Sequence, residues 1–157
     1  MAVLYTMAEV GEAMITTEQY FGKSLVTPEI AVAAQDLLNK VNAFLEHWEG
    51  SAEGREPHMT SGYRSPEYNK TIKGAAPNSN HMSGKAIDIS DSDKALAKFC
   101  LVKKQLLEDY GLWCEDPRTT KTWVHFQSVP PKSGNRFYIP SLTWAAKITG
   151  PLTLESL

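Results

Sequence analysis

The stretch NSNHMSGKAIDIS, residues 78–90, constrains this chain more than any other. It places Asp88 between Ile87 and Ile89, inside a run that otherwise reads as a buried strand. Side chains alternate across a strand, so Ile87 and Ile89 take one face and Ala86, Asp88 and Ser90 the other. The apolar face packs on a core. The acid then needs a partner that balances its charge. One of only four histidines, His81, lies just upstream, and Gly84 stands between them.

A second strand-like run, TWVHFQ, repeats the arrangement. Trp123, His125 and Gln127 share one face, and Val124 and Phe126 the other. With the two strands side by side, His81, Asp88 and His125 can converge. Two imidazoles and a carboxylate are a ligand set of catalytic zinc, filling three corners of a tetrahedron and leaving the fourth for water. Small residues at Ser83, Gly84 and Ala86 let backbone or substrate come close. The spacing alone is a weak signal. It is not the helical HExxH pair, and a histidine near an aspartate is more often a plain hydrogen-bonded pair.

The rest of the chain reads as an α+β domain: a small antiparallel sheet packed against helices. Thr27 caps a helix running to Trp48, with Pro28 first and Glu29 at its positive end. Ile30, Ala33, Leu37, Leu38, Val41, Phe44 and Leu45 recur at helical spacing, and Gly50 stops the helix. A short helical stretch is expected around 17–22. EPHMTSGYRS reads as a strand entering a turn, and SPEYNKTI as a short helix capped by Ser65. SDKALAKFCLVKKQLLEDYG reads as a second long helix, capped by Ser92 or Asp91. Its inner side is expected to carry Leu96, Phe99, Cys100, Val102 and Leu106. LWCE and TWVHFQS form a hairpin across DPRTTK. The proline-punctuated segment VPPKSGNRFYIPSLTWAAKITGPLTLESL, residues 129–157, holds at most one short helical turn. Its Tyr138, Ile139, Leu142, Trp144 and Leu152 either wrap the domain's own core, which is the favoured reading, or stay exposed as a surface that could dock a partner.

The length of 157 residues suits a single domain, 1–157, with 27–138 as its core and 139–157 as a tail. A hydrophobic content of 42% excludes a disordered chain, and a net charge of −2 offers no basic stripe for nucleic acid. No apolar run is long enough to span a membrane. The N-terminus lacks the basic and apolar regions of a secretory signal. Cys100 and Cys114 can pair or stay free.

Three blocks carry a family likeness: SGYRSPEYN, NSNHMSGKAIDIS and WVHF. Together they resemble the D-Ala-D-Ala carboxypeptidase-like zinc peptidases, which include VanY- and VanX-type enzymes and phage L-alanyl-D-glutamate endopeptidases. The family motif maps onto Ser79, His81, Gly84, Ala86 and Asp88, then Trp123 and His125. The resemblance covers roughly residues 27–138. It implies a hedgehog- or DD-peptidase-like fold, Zn2+ held by His81, Asp88 and His125, and hydrolysis of peptidoglycan stem peptides. It points to Arg64 as the residue that holds a substrate carbonyl or carboxylate. Tyr63, Ser79 and Trp123 are candidates for lining the substrate cleft. For Tyr63, packing explains the residue equally well. For Ser79, fixing the His81 loop is the favoured role. Trp123 could shape the floor beneath His125.

The pattern departs in one place. Many relatives carry an acid or a histidine three residues before the last ligand, and here that residue is Thr122. A threonine hydroxyl is no general base. Glu115, at the end of LWCE, returns toward the metal if the hairpin forms, and is the nominated base. With a base, the chain is a wall-cutting peptidase, phage- or prophage-encoded, held in the host cytoplasm until release or carried on a virion. Without one, it is a virion or tail structural protein that keeps the fold, with the C-terminal tail as its contact to other virion proteins.

Overall fold

A computed structural model describes residues 15–157, so the reading of residues 1–14 as free of a secretory signal lies outside the described residues. The first described helix, α1 (Thr17–Phe21), opens on a capping box between Thr16 and Gln19. The long helix α2 (Pro28–Glu49) starts as its sequence dictates, with Thr27 Oγ1 accepting the Ile30 N–H at 3.3 Å. It buries Ala34, Leu37, Leu38, Val41, Phe44, Leu45 and Trp48. Asn42 sits on the same buried face because both ends of its amide are paired. It accepts from Ile15 N–H and donates to Ile15 O, which pins the chain ahead of α1.

The sheet has five strands: β1 (Met59–Ser61), β2 (Ala86–Ser90), β3 (Trp113–Glu115), β4 (Trp123–Gln127) and β5 (Phe137–Tyr138). Their order is β1-β2-β4-β3-β5. Every pairing is antiparallel except β3 with β5, which is parallel. The expected β3–β4 hairpin is present. Ile87, Ile89, Val124 and Phe126 form the apolar face and pack with Leu37, Val41 and Phe44 of α2. Each large side chain buried there contributes about 1.5–3 kcal/mol. That leaves the opposite face of β2 and β4 to Asp88, His125 and Gln127. The turn carrying His81 (a 3-10 helix, Asn80–Ser83) enters β2, and a short helix α3 (Pro66–Asn69), capped by Ser65, follows β1. The fold is α+β.

Three expectations are corrected. The second long helix is two helices, α4 (Ala95–Val102) and α5 (Lys104–Tyr110), broken at Lys103 with φ −105° and ψ 36°. Val102 points outward at 65% exposure. It lies two residues beyond buried Cys100, about 200° around the helix, and Ala97 and Leu107 take inner positions instead. The cap position of α4 belongs to Lys94, in the left-handed region at φ 65°. Asp91 still serves the first turn from a distance, accepting from Leu96 N–H at 2.8 Å and Ala97 N–H at 2.9 Å. Ser92 takes no such role, and its side chain is exposed.

The tail is more ordered than its prolines imply. It contains β5, a short helix α6 (Leu142–Lys147) and a 3-10 turn (Leu154–Ser156). Tyr138 is half-buried rather than exposed, as are Trp144 and Leu152, whereas Leu142 is 89% exposed. Arg118 ties the tail down: its guanidinium grips Asp116 and donates to the carbonyls of Thr149, Gly150 and Pro151. Cys100 and Cys114 are both buried and free. Among the described residues, no helix is long and apolar enough to cross a membrane.

Candidate metal centre

The β2–β4 register sets Asp88 directly opposite His125. Asp88 Oδ1 lies 2.9 Å from His125 Nδ1 and 3.3 Å from His81 Nε2. One ligand atom from each of the three residues lies within 4.8 Å of the other two, and all three residues are buried. His81 reaches the site because its turn is tightly built. Ser79 Oγ accepts the His81 N–H at 3.2 Å, and Gly84, at φ 76°, ends the turn. A Cβ at Gly84 would stand 2.7 Å from the Ile30 carbonyl, so glycine lets this turn press against α2. The close approach is to backbone. The Ser79 hydroxyl caps this turn.

The free ring atoms are defined by what the others do. His81 Nδ1 is 2.8 Å from the Gly62 carbonyl, which only accepts, so Nδ1 carries the proton and Nε2 faces Asp88. His125 Nε2 lies 2.9 Å from Gln127 Oε1, and its Nδ1 faces Asp88. Two imidazole nitrogens and a carboxylate oxygen converging on one point fit zinc by donor chemistry once His125 gives up its extra proton, with the opposite ring nitrogens anchored as metal-ligating histidines require.

Around this cluster stand two more charged groups. Arg64 Nη2 lies 3.5 Å from Asp88 Oδ2, Nε donates to Ser61 Oγ, and Nη1 donates to Asn69 Oδ1. Its backbone N–H donates to the His81 carbonyl at 3.1 Å, joining the SGYRS loop to the histidine turn. Glu115 Oε2 lies 3.6 Å from His125 Nδ1. The hairpin therefore brings Glu115 back to the centre. Thr122 is exposed, and its carbonyl accepts from Asp91 N–H. Tyr63 packs on Phe21, with ring centroids 5.7 Å apart, and joins the edge of the core. Trp123 is half-buried at the start of β4, opposite Ser90 and on the His125 face.

Burial works against both ions of the central pair, and the pair itself wins. Burial pushes the Asp88 carboxyl up, but hydrogen bonds to His125 and His81 hold it well below the usual range. Burial pushes His125 down, but Asp88 and Glu115 raise it to about 9. Glu115 is raised by burial, with the histidines opposing. A carboxylate with a raised pKa is the kind suited to taking and returning a proton.

Some neighbours had no role in the sequence reading. Gln127 shares a face with His125, which alternation alone could reveal, but nothing marks what it touches. Tyr138 donates to Gln127 Oε1 at 2.5 Å from a strand that sequence gave no sign of. Asn69, buried on α3, orients Arg64 and donates to the Ala76 carbonyl at 2.8 Å.

Residues 9–126 match the peptidase M15 family. The buried His-Asp-His cluster could hold a metal ion, and the family match supplies the class, a metallopeptidase. The chain belongs to the M15 family of zinc D-Ala-D-Ala carboxypeptidase- and VanX-like peptidases, as the three sequence blocks imply. Neither the curated proteins nor the solved structures give a match.

Proposed function

We propose that this protein is a zinc peptidase that hydrolyses peptide bonds in the stem peptides of bacterial peptidoglycan. The observation that carries the reading is Glu115 Oε2, 3.6 Å from His125 Nδ1, beside three converging ligand atoms. His81, Asp88 and His125 would hold the metal. Zinc, when bound, acts as a Lewis acid that acidifies water and polarises a carbonyl.

The chain's own groups do the rest. Glu115 takes a proton from the attacking water at Oε2 and hands it to the leaving amine. Burial keeps its carboxyl easy to protonate, which suits the second step. Arg64 orients the substrate. Three of its nitrogens already have partners in Ser61, Asn69 and Asp88, which fix the guanidinium in place. A guanidinium has five N–H donors, so N–H groups remain for a substrate carbonyl or carboxylate. Stem peptides end in carboxylates and suit such a site. Trp123, on the His125 face of β4, would limit which side chains enter.

A phage or prophage source, with release to the wall or carriage on a virion, belongs to the same proposal and rests on the family likeness. The scaffold alternative supposes that no base is present, and the position of Glu115 argues against it. The test is release of new amino groups from purified peptidoglycan by the zinc-loaded protein. Wild type should release them and Glu115→Gln should not. Zinc-loaded wild type that releases none would leave the scaffold reading in its place.

A further inference from the structure

Gln127 and Tyr138 both lie beyond residue 126, where the family match ends. Gln127 is 2% exposed, a buried amide beside a buried imidazole. Its Nε2 donates to the Val129 carbonyl at 2.8 Å. A carbonyl cannot donate, so the amide has one sensible orientation: NH2 toward Val129, Oε1 toward the site. Oε1 then accepts the Tyr138 hydroxyl at 2.5 Å and stands 2.9 Å from His125 Nε2. Once His125 is neutral, as a metal ligand must be, an oxygen that can only accept keeps the ring proton on Nε2. The lone pair is left on Nδ1, which is the nitrogen facing Asp88.

We propose that Gln127, locked by Val129 and Tyr138, is the positioning residue that makes His125 present Nδ1 to the metal. The inference rests on the metal reading above and extends it to the C-terminal segment. Strand β5 has a double part in this. Tyr138 pairs in register with Glu115, and its carbonyl accepts the Asp116 N–H at 2.7 Å, so one short strand braces both the base and the last ligand. The Tyr138 ring also stands edge-on to His125, with centroids 6.5 Å apart.

The test measures zinc affinity by chelator competition and the His125 ring signals by 15N–1H NMR of the zinc-loaded protein. The proteins are wild type, Gln127→Leu, Gln127→Glu and Tyr138→Phe. Gln127→Leu should weaken zinc binding about 10–100-fold, the usual cost of losing a partner to a metal-bound histidine. Its protected Nε2–H resonance should be lost. Gln127→Glu keeps an acceptor and should recover most of the affinity and the resonance. Tyr138→Phe should weaken binding by less than about tenfold. Wild-type affinity with an unchanged Nε2–H signal in Gln127→Leu overturns the inference alone. If Gln127→Leu does not fold, Tyr138→Phe decides, and wild-type affinity with an unchanged resonance there overturns it. Wild type that fails to bind zinc overturns the metal reading and this inference together.

Discussion

Asp88 and His125 are direct partners across the β2–β4 ladder, with a carboxylate oxygen 2.9 Å from Nδ1. Backbone pairing thus sets two of the three converging side chains side by side. Removing one side chain should leave the ladder and lose the site. His125→Ala should keep its far-ultraviolet spectrum and lose stoichiometric zinc, as read by metal analysis after gel filtration. Zinc retained at one per chain by this variant would count against His125 as a ligand.

Metal uptake should expel protons. In the metal-free protein His125 is raised to about 9, so near neutral pH it carries a proton that zinc must displace. Titration calorimetry in buffers of different ionisation enthalpy should show release of about one proton near pH 7. The sign is fixed. Affinity should fall as pH drops and rise as pH climbs toward the pKa of His125. Affinity flat across that window would contradict the assigned charge state.

Glu115 and the metal ligands should separate in their effects. Glu115→Gln should lower kcat by about 10²–10⁴-fold, the usual contribution of a general base. Zinc affinity should stay within a few fold, because Glu115 lies 3.6 Å from His125 and outside the converging set. Unchanged kcat would remove Glu115 from the chemistry and leave the metal assignment intact.

The two thiols should be silent in the folded state. Cys100 and Cys114 are buried and free, and burial first, then the neighbouring Cys114, pushes the Cys100 thiol well up. A thiol reagent should label neither in native buffer and both in denaturant without reductant. A disulfide in the denatured, unreduced protein would contradict the free pair.

The core that supports the site should be sensitive to cavities. Phe126 is fully buried on the strand between Asp88 and Glu115 and packs on Phe44, with centroids 5.6 Å apart. Phe126→Ala should cost about 3–5 kcal/mol in denaturant unfolding. A loss under ~1 kcal/mol would mean the site face is not held by this packing.

The residues show why some of this was legible in sequence. Alternation in AIDI and WVHF depends only on the period of a strand, so the apolar and polar faces followed directly. Thr27, Pro28 and Glu29 signal a helix start with purely local chemistry, and α2 begins there. The break at Lys103 carries no such mark, since no proline or glycine stands at it and the apolar pattern runs through. Strand β5 was invisible because two residues make no period and its partner β3 is distant in sequence. The roles of Gln127, Tyr138 and Asn69 depend on contacts between separate elements, which spacing along the chain does not encode. The family blocks single out His81, Asp88 and His125, and the pairing register shows why Asp88 and His125 meet.

The most direct measurement is anomalous diffraction at the zinc edge from crystals of the zinc-loaded protein. The account predicts a single strong peak bonded by His81 Nε2, His125 Nδ1 and the Asp88 carboxylate, with Glu115 beside it. Crystals of protein shown to carry zinc, with no peak among those three side chains, would contradict it.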